Sequence, residues 1–203
     1  VLFTMPDGEI WLFYKVGATV DDWTGWLVKS RDGGKTWTER EPLPKGFIGP
    51  VKNKPELING RLICGSSTEK DGWRFHVEIL DMKTGKWKYV GIVDAEKVAR
   101  TDDVVTARDM TNPIYKEGKG PEYIYSIQPS ILKLKDGRLQ VLMRTHNAKL
   151  ATSFSSDNGD TWSKVTLTDI PNNQSGTDAV TLKDGRHVLI YNDFETIPGT
   201  KKG

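Results

Sequence analysis

The stretch SRDGGKTW, residues 30–37, returns 125 positions later as SSDNGDTW, residues 155–162, and both read Ser-x-Asp-x-Gly-x-Thr-Trp. Eight residues of this kind form a self-contained turn. Asp32 and Asp157 can accept backbone N–H bonds within the loop, as short acidic side chains do in Asx-type turns. Gly34 and Gly159 can take the positive φ that a side chain resists. Ser30, Ser155, Thr36 and Thr161 add hydroxyl bonds, and Trp37 and Trp162 are expected to pack back between neighbouring strands. A carboxylate engaged by amides has a lowered pKa and makes a poor general acid. The turn therefore reads as structural rather than catalytic.

Outward from this turn a second unit recurs, an Asp-Gly or Asn-Gly pair followed by an apolar run: DGEIWLFY from Asp7, NGRLICGS from Asn59, DGRLQVLM from Asp136 and DGRHVLIY from Asp184. Such pairs between strand-like runs are hairpin signals. Their glycines fall at 8, 60, 137 and 185, intervals of 52, 77 and 48, and each of the first three is followed by a copy of the eight-residue turn. The copy LDMKTGKW, ending at Trp87, is degraded: Leu80 stands in the serine position. Trp23 and Trp73 keep step, also 50 apart. Helical periodicity is nearly absent. Four strands per repeat of about 50 residues is the pattern of a β-propeller blade. The expected fold is all-β, a propeller of four-stranded antiparallel blades in one domain. Blades are expected over 1–45, 46–94, 120–170 and, in part, 171–203, with an insertion over 94–127.

Bulk properties narrow the partners. A net charge of +2 without a long charged block makes nucleic acid and anionic membranes poor candidates. No apolar run approaches the roughly 20 residues of a membrane helix. Cys64, the single cysteine, excludes an internal disulfide and a cysteine-based zinc site. In RLICGS it is expected to be a small buried residue. No metal or cofactor is expected. The chain opens inside a strand-like run and closes soon after another, and is read as part of a larger protein or as a processed piece.

The turns at 30–37 and 155–162 resemble the Asp-boxes, or BNR repeats, of the sialidase-like propeller superfamily. The resemblance implies a six-bladed ring, of which about three and a half blades lie here, and a structural role for Ser30, Asp32, Gly34, Thr36, Trp37 and for Ser155, Asp157, Gly159, Thr161, Trp162. It also implies a carbohydrate-active enzyme, and an extracellular or periplasmic location by analogy. Catalytic sialidases use three arginines, a tyrosine–glutamate pair and an aspartate acid/base. The Arg-Ile-Pro motif of that family is absent from this sequence, and no three arginines are spaced one per blade start.

Strand order sorts the loops. If the Asp-Gly hairpins and the eight-residue turns share one face, the varied loops and the first residues of each innermost strand share the other, where ligand is expected. That face collects Lys52 and Lys54 of PVKNKP, where alternation with Asn53 also fits solvated strand positions. It also collects Gln128, Asp178, Arg144, His146, Trp73 and His76. Tyr115, Tyr123 and Tyr125 beside Gly118, Gly120 and Pro121 would make the insertion either a lid or a surface excursion. Arg fits a carboxylate bidentately, Lys acts as a point charge and Trp offers a flat face to a sugar. The first expectation is a sialidase-like exo-glycosidase acting on an acidic oligosaccharide or glycoconjugate, with Asp178 as acid/base and Arg144, Lys52, Lys54, Gln128 and Trp73 binding substrate. A polysaccharide lyase would use His76 or His146 to remove a proton beside a uronic acid. A glycan-binding propeller without catalysis is the third reading. Open blade edges allow self-association.

Overall fold

The computed structural model describes residues 1–69, 72–98 and 123–193. They form three four-stranded antiparallel sheets and one two-stranded sheet, each in sequence order, the blades of a β-propeller. The first holds β1 (Leu2–Thr4), β2 (Ile10–Val16), β3 (Thr24–Ser30) and β4 (Glu41–Pro42). The second holds β5 (Glu56–Ile58), β6 (Arg61–Thr68), β7 (Arg74–Asp81) and β8 (Trp87–Ile92). The third holds β9 (Ser126–Lys133), β10 (Leu139–Thr145), β11 (Lys149–Ser155) and β12 (Thr166–Pro171), and β13 (Asp178–Thr181) pairs with β14 (His187–Ile190). Of the insertion expected over 94–127, residues 99–122 lie outside the described residues, and with them Tyr115, Gly118, Gly120 and Pro121 of the lid reading. Lys97 and Tyr123, at either side, form an isolated antiparallel bridge. The one helical element among the described residues is a 3₁₀ turn at Val20–Asp22.

The middle sheet is buried on both faces, so its strands read as nearly continuous apolar runs. Alternation then sends odd and even residues to different neighbours. Leu62, Cys64 and Leu80 pack with Trp11, Phe13 and Leu27 of the first sheet. Ile63, Phe75, Val77 and Ile79 pack with Ile131, Val141 and Met143 of the third. Cys64 is fully buried, and burial pushes its thiol well above the usual range.

The register fixes which loops share an end. Ile10 pairs with Ser30, Arg61 with Asp81 and Leu139 with Ser155, so the Asp-Gly hairpins and the repeated turns cap the same end of each sheet. Val16–Thr24 and Thr68–Arg74 close the opposite end. At the first turn, Asp32 Oδ1 accepts from the Ser30 hydroxyl and from the N–H groups of Lys35 and Thr36, while Oδ2 accepts from the Thr36 hydroxyl. Ser30 Oγ accepts from Gly34 N–H, and Gly34 takes φ +88°. The second copy repeats the serine and threonine hydroxyl bonds and the threonine and glycine N–H bonds at Asp157, Ser155 and Gly159. The Thr36 hydroxyl and amide, with Ser30, hold Asp32 down to about 2. Burial pushes Asp157 upward, but the hydrogen bonds of Thr161 and Ser155 outweigh it and its carboxyl also lies below the usual range. Neither has a proton to give near neutrality.

Two expectations are corrected, the packing of Trp37 and the strand at 52–54, and the degraded copy takes a turn of its own. Trp162 packs edge-on against Phe75 of the second sheet, 5.5 Å between ring centroids, but Trp37 is 38% exposed. The second turn reaches the preceding sheet, where Arg61 grips Asp160, whereas the described residues include no sheet on that side of Trp37. The copy at 80–87 is a tight hairpin, with Asp81 Oδ1 accepting from Lys83 and Thr84 N–H and Gly85 N–H closing on Asp81 O. Its outer strand runs six residues, as does β12 behind a full turn, against two for β4. Residues 52–54 are not strand: Asn53 N–H bonds Val51 O around Lys52 at φ +65°, a three-residue turn.

The tryptophan contrast gives a direct expectation. Trp162→Ala removes a half-buried ring from an inter-sheet core and should cost about 2–3 kcal/mol, whereas Trp37→Ala should cost under about 1 kcal/mol. Urea denaturation of the two variants checks this. Equal losses would contradict the asymmetry.

Candidate functional site

At the end of the sheets opposite the repeated turns, one buried asparagine joins three sheets. Asn53, 2% exposed, donates from Nδ2 to Gln128 O and to Ser130 Oγ, both at 2.8 Å. Its Oδ1 accepts from Lys52 Nζ at 3.1 Å, and Lys52 Nζ also donates to Thr177 O at 2.7 Å. Burial, followed by the Arg144 charge, lowers the Lys52 pKa, and Asp178 opposes the shift. Ser130 Oγ receives two N–H groups, from Asn53 and from Ala179 at 3.0 Å. Both of its lone pairs are then used, so its one proton points to Asp178 Oδ1, 3.2 Å away. Asp178 Oδ1 also accepts Ala179 N–H at 2.9 Å. A proton on this carboxyl group therefore belongs on Oδ2.

The backbone here is unusual. Lys52, Gln128 and Gln174 have φ of +65°, +59° and +67°, a region that costs side-chain-bearing residues roughly 1–3 kcal/mol and that gathers at functional sites. Gln128 sits where the β9–β10 register shifts, a bulge that re-aims its side chain. Gln128 Oε1, Asn173 Oδ1 and Gln174 Nε2 are buried without a partner among the described residues. Buried polar atoms are nearly always satisfied, so three together call for an explanation.

Beside this cluster the Arg144 guanidinium lies 4.4 Å from the Trp73 ring centroid and donates from Nη1 to Gln174 O at 3.2 Å. Stacking of this kind holds the planar group in place. His146, 5% exposed, has its ring 3.7 Å from that of Trp73. Lys54 is exposed and stands outside this network. Of the residues expected on this face, Lys52, Gln128 and Asp178 are joined by hydrogen bonds, and Arg144, Trp73 and His146 form an adjoining stack. Ser130, Asn173 and Gln174 were not singled out from the sequence, and Asn53 was placed on this face but not as a buried partner. The runs PVKNKP and NNQSGTD, dense in Asn and Gln at strand starts, carried the signal.

His76 is elsewhere. Alternation along β7 turns His76, Glu78 and Leu80 toward the first sheet, away from Trp73 and Arg144. Glu78, fully buried, accepts N–H bonds from Ile48 and from Gly49 (2.7 Å), and lies 3.1 Å from His76 Nε2. Lys15 Nζ donates to Pro50 O nearby. Burial pushes Lys15 down to about 8, with Glu78 opposing. Between about 8 and its ordinary 10.5 the unfolded chain holds the extra proton, so stability rises with pH across that window. The gain should reach about 3 kcal/mol and be absent in Lys15→Met. Melting temperatures at pH 7.5 and about 10 for both proteins check it, and parallel slopes would contradict it.

The BNR repeat-like domain family model matches residues 1–201. No curated protein sequence matches the chain. Among solved structures, a Dyadobacter fermentans protein of unknown function is 18% identical with a TM-score of 0.63, covering 94% of this chain and 55% of that one. The NanB sialidase of Streptococcus pneumoniae is 19% identical with a TM-score of 0.54, covering 83% and 24%. A GH93 α-L-arabinofuranosidase of Fusarium graminearum, determined with arabinobiose, is 17% identical with a TM-score of 0.57, covering 94% and 54%. The chain thus spans from a quarter to about half of these structures, and identities at this level speak to the fold alone.

Proposed function

The chain belongs to the BNR repeat-like domain family, and on that premise we propose that it supplies the sugar-binding face of a sialidase-like glycoside hydrolase acting on an acidic glycan. The observation that carries this reading is the cluster around Asn53: two cations, Lys52 and Arg144, near one carboxylate, Asp178, with strained backbone and unpartnered amide atoms at Gln128 and Gln174. Sialidase and arabinofuranosidase structures among those sharing the fold add support.

In this reading Arg144 and Lys52 hold the sugar carboxylate, Arg144 as a flat fork fixed by Trp73 and Lys52 as a point charge. The amide groups of Gln128 and Gln174 take up sugar hydroxyls. Asp178 protonates the departing glycosidic oxygen from Oδ2, and displacement at the anomeric carbon falls to a tyrosine or a second carboxylate. The lyase reading has less support. His76 faces another cleft, bonded to Glu78, and His146 is buried against Trp73.

Incubation with sialyllactose tests the proposal. Free sialic acid, without the ultraviolet absorbance of an unsaturated sugar, is the expected result. Arg144→Ala should weaken binding of free sialic acid about 10- to 100-fold, the size of a lost charge-assisted contact. Thermal stabilisation by sialic acid without release would favour a binding module. An absorbing product from a uronate polymer would favour the lyase, and no response to any acidic sugar would remove the reading.

A further inference from the structure

A second cleft lies between the first and second sheets, separate from the cluster at Asn53. It encloses about 230 Å³ and is lined by Asp21, Trp23, Ser67, Thr68, His76 and Tyr89, among others. Three features suit it to a ligand. His76 is 3% exposed, yet its Nδ1 is buried without a partner among the described residues. The Tyr89 ring, 45% exposed, stands 4.9 Å from the His76 ring and is braced edge-on by Phe47 at 6.2 Å. Trp23, at the end of the 3₁₀ turn, supplies a second aromatic surface and belongs to neither apolar core cluster.

The chemistry of the occupant follows from these groups. Glu78 faces His76 Nε2 and is otherwise filled by backbone N–H donors. A carboxylate only accepts, so Nε2 carries a proton and donates. On the neutral ring Nδ1 is then an acceptor; on the charged ring it is a donor. A hydroxyl group satisfies both. Among the described residues, the charged side chains lining the cleft, Asp21 and Glu78, are acidic, which disfavours an anionic ligand. The volume falls below the roughly 300 Å³ at which drug-sized sites begin. Aromatic walls, the Thr68 hydroxyl and one buried imidazole describe a pyranose site. The geometry points to a subsite for one neutral hexose ring between the first two sheets, with a ring hydroxyl on His76 Nδ1 and the sugar face against Trp23. It does not depend on the acidic-glycan reading of the Asn53 cluster. Should both hold, the substrate carries a neutral and an acidic sugar.

Saturation-transfer NMR tests the subsite, with methyl β-D-galactopyranoside and methyl α-D-mannopyranoside as probes at millimolar concentration and N-acetylneuraminic acid as competitor. One hexoside is expected to bind, tenfold more weakly in Trp23→Ala and in His76→Gln, without loss in Arg144→Ala and without displacement by the acid. If His76→Gln fails to fold, Trp23→Ala still decides, because its ring lies outside the cores. Absence of transfer from both hexosides overturns the inference. So does binding that survives Trp23→Ala, that disappears with Arg144→Ala or that N-acetylneuraminic acid displaces. Sialyllactose hydrolysis can fail while hexoside binding persists, which keeps the two proposals distinguishable.

Discussion

Asp178→Asn is expected to lower kcat on an unactivated glycoside by roughly a hundredfold to ten-thousandfold, the range of a lost general acid, with little change in KM. The substitution conserves size, and the acceptor atom that holds Ser130 and Ala179 can be kept as the amide oxygen. The amide NH₂ then replaces Oδ2 and cannot release a proton to the leaving oxygen. An activated aryl glycoside needs little protonation as it departs, so its hydrolysis should fall far less. That difference separates an acid from a residue that merely holds the loop, since a structural role would depress both substrates equally. Steady-state kinetics on sialyllactose and on a methylumbelliferyl sialoside make the comparison. Equal losses, or no loss, would remove Asp178 from the chemistry.

The largest effect on stability is expected at Glu78. Its carboxylate ties the connection between the first and second sheets, at Ile48 and Gly49, to the middle of β7. That connection has little room to shift, because Gly49 takes φ +70° and a Cβ there would lie 3.1 Å from Leu43 and 3.2 Å from Phe13. Glu78→Ala leaves backbone donors and His76 unpaired in a buried site beside Lys15, and should cost about 3–5 kcal/mol. Glu78→Gln keeps the volume but turns an NH₂ toward donors, and should cost about 1–3 kcal/mol. Urea denaturation at neutral pH ranks the two. A loss below about 1 kcal/mol for Glu78→Ala would show that the connection holds without its carboxylate.

The repeated turns were legible because everything they need lies within eight residues. Asp32 meets Thr36 four positions on, and Ser30 meets Gly34 likewise, so spacing alone specifies the bonds. The hairpins were legible for the same reason. Their phase gave four-stranded blades, and antiparallel order gave the sorting of loops to two ends of the sheets, as the pairing of Leu139 with Ser155 bears out. The short hairpin at 81–86 departs from its copies because one aspartate and one glycine close a tighter loop there.

The candidate site was legible only as a roster. PVKNKP read as alternating strand, because nothing local reports that Asn53 will be buried by residues 75 and 77 positions away. Lys52 finds its acceptor 125 positions on, at Thr177. Trp37 and Trp162 share a motif and differ in burial, since burial depends on a neighbouring sheet. His76 and Trp73 stand three residues apart and face different neighbouring sheets, because alternation on β7 takes its direction from how the sheets stack. The sequence by itself determined the blades, their turns and the sorting of the loops to two ends of the sheets, all consequences of contacts between near neighbours in the chain. Only the tertiary structure decided which side chains at that end meet, because those contacts arise between sheets, where distance along the chain carries no information.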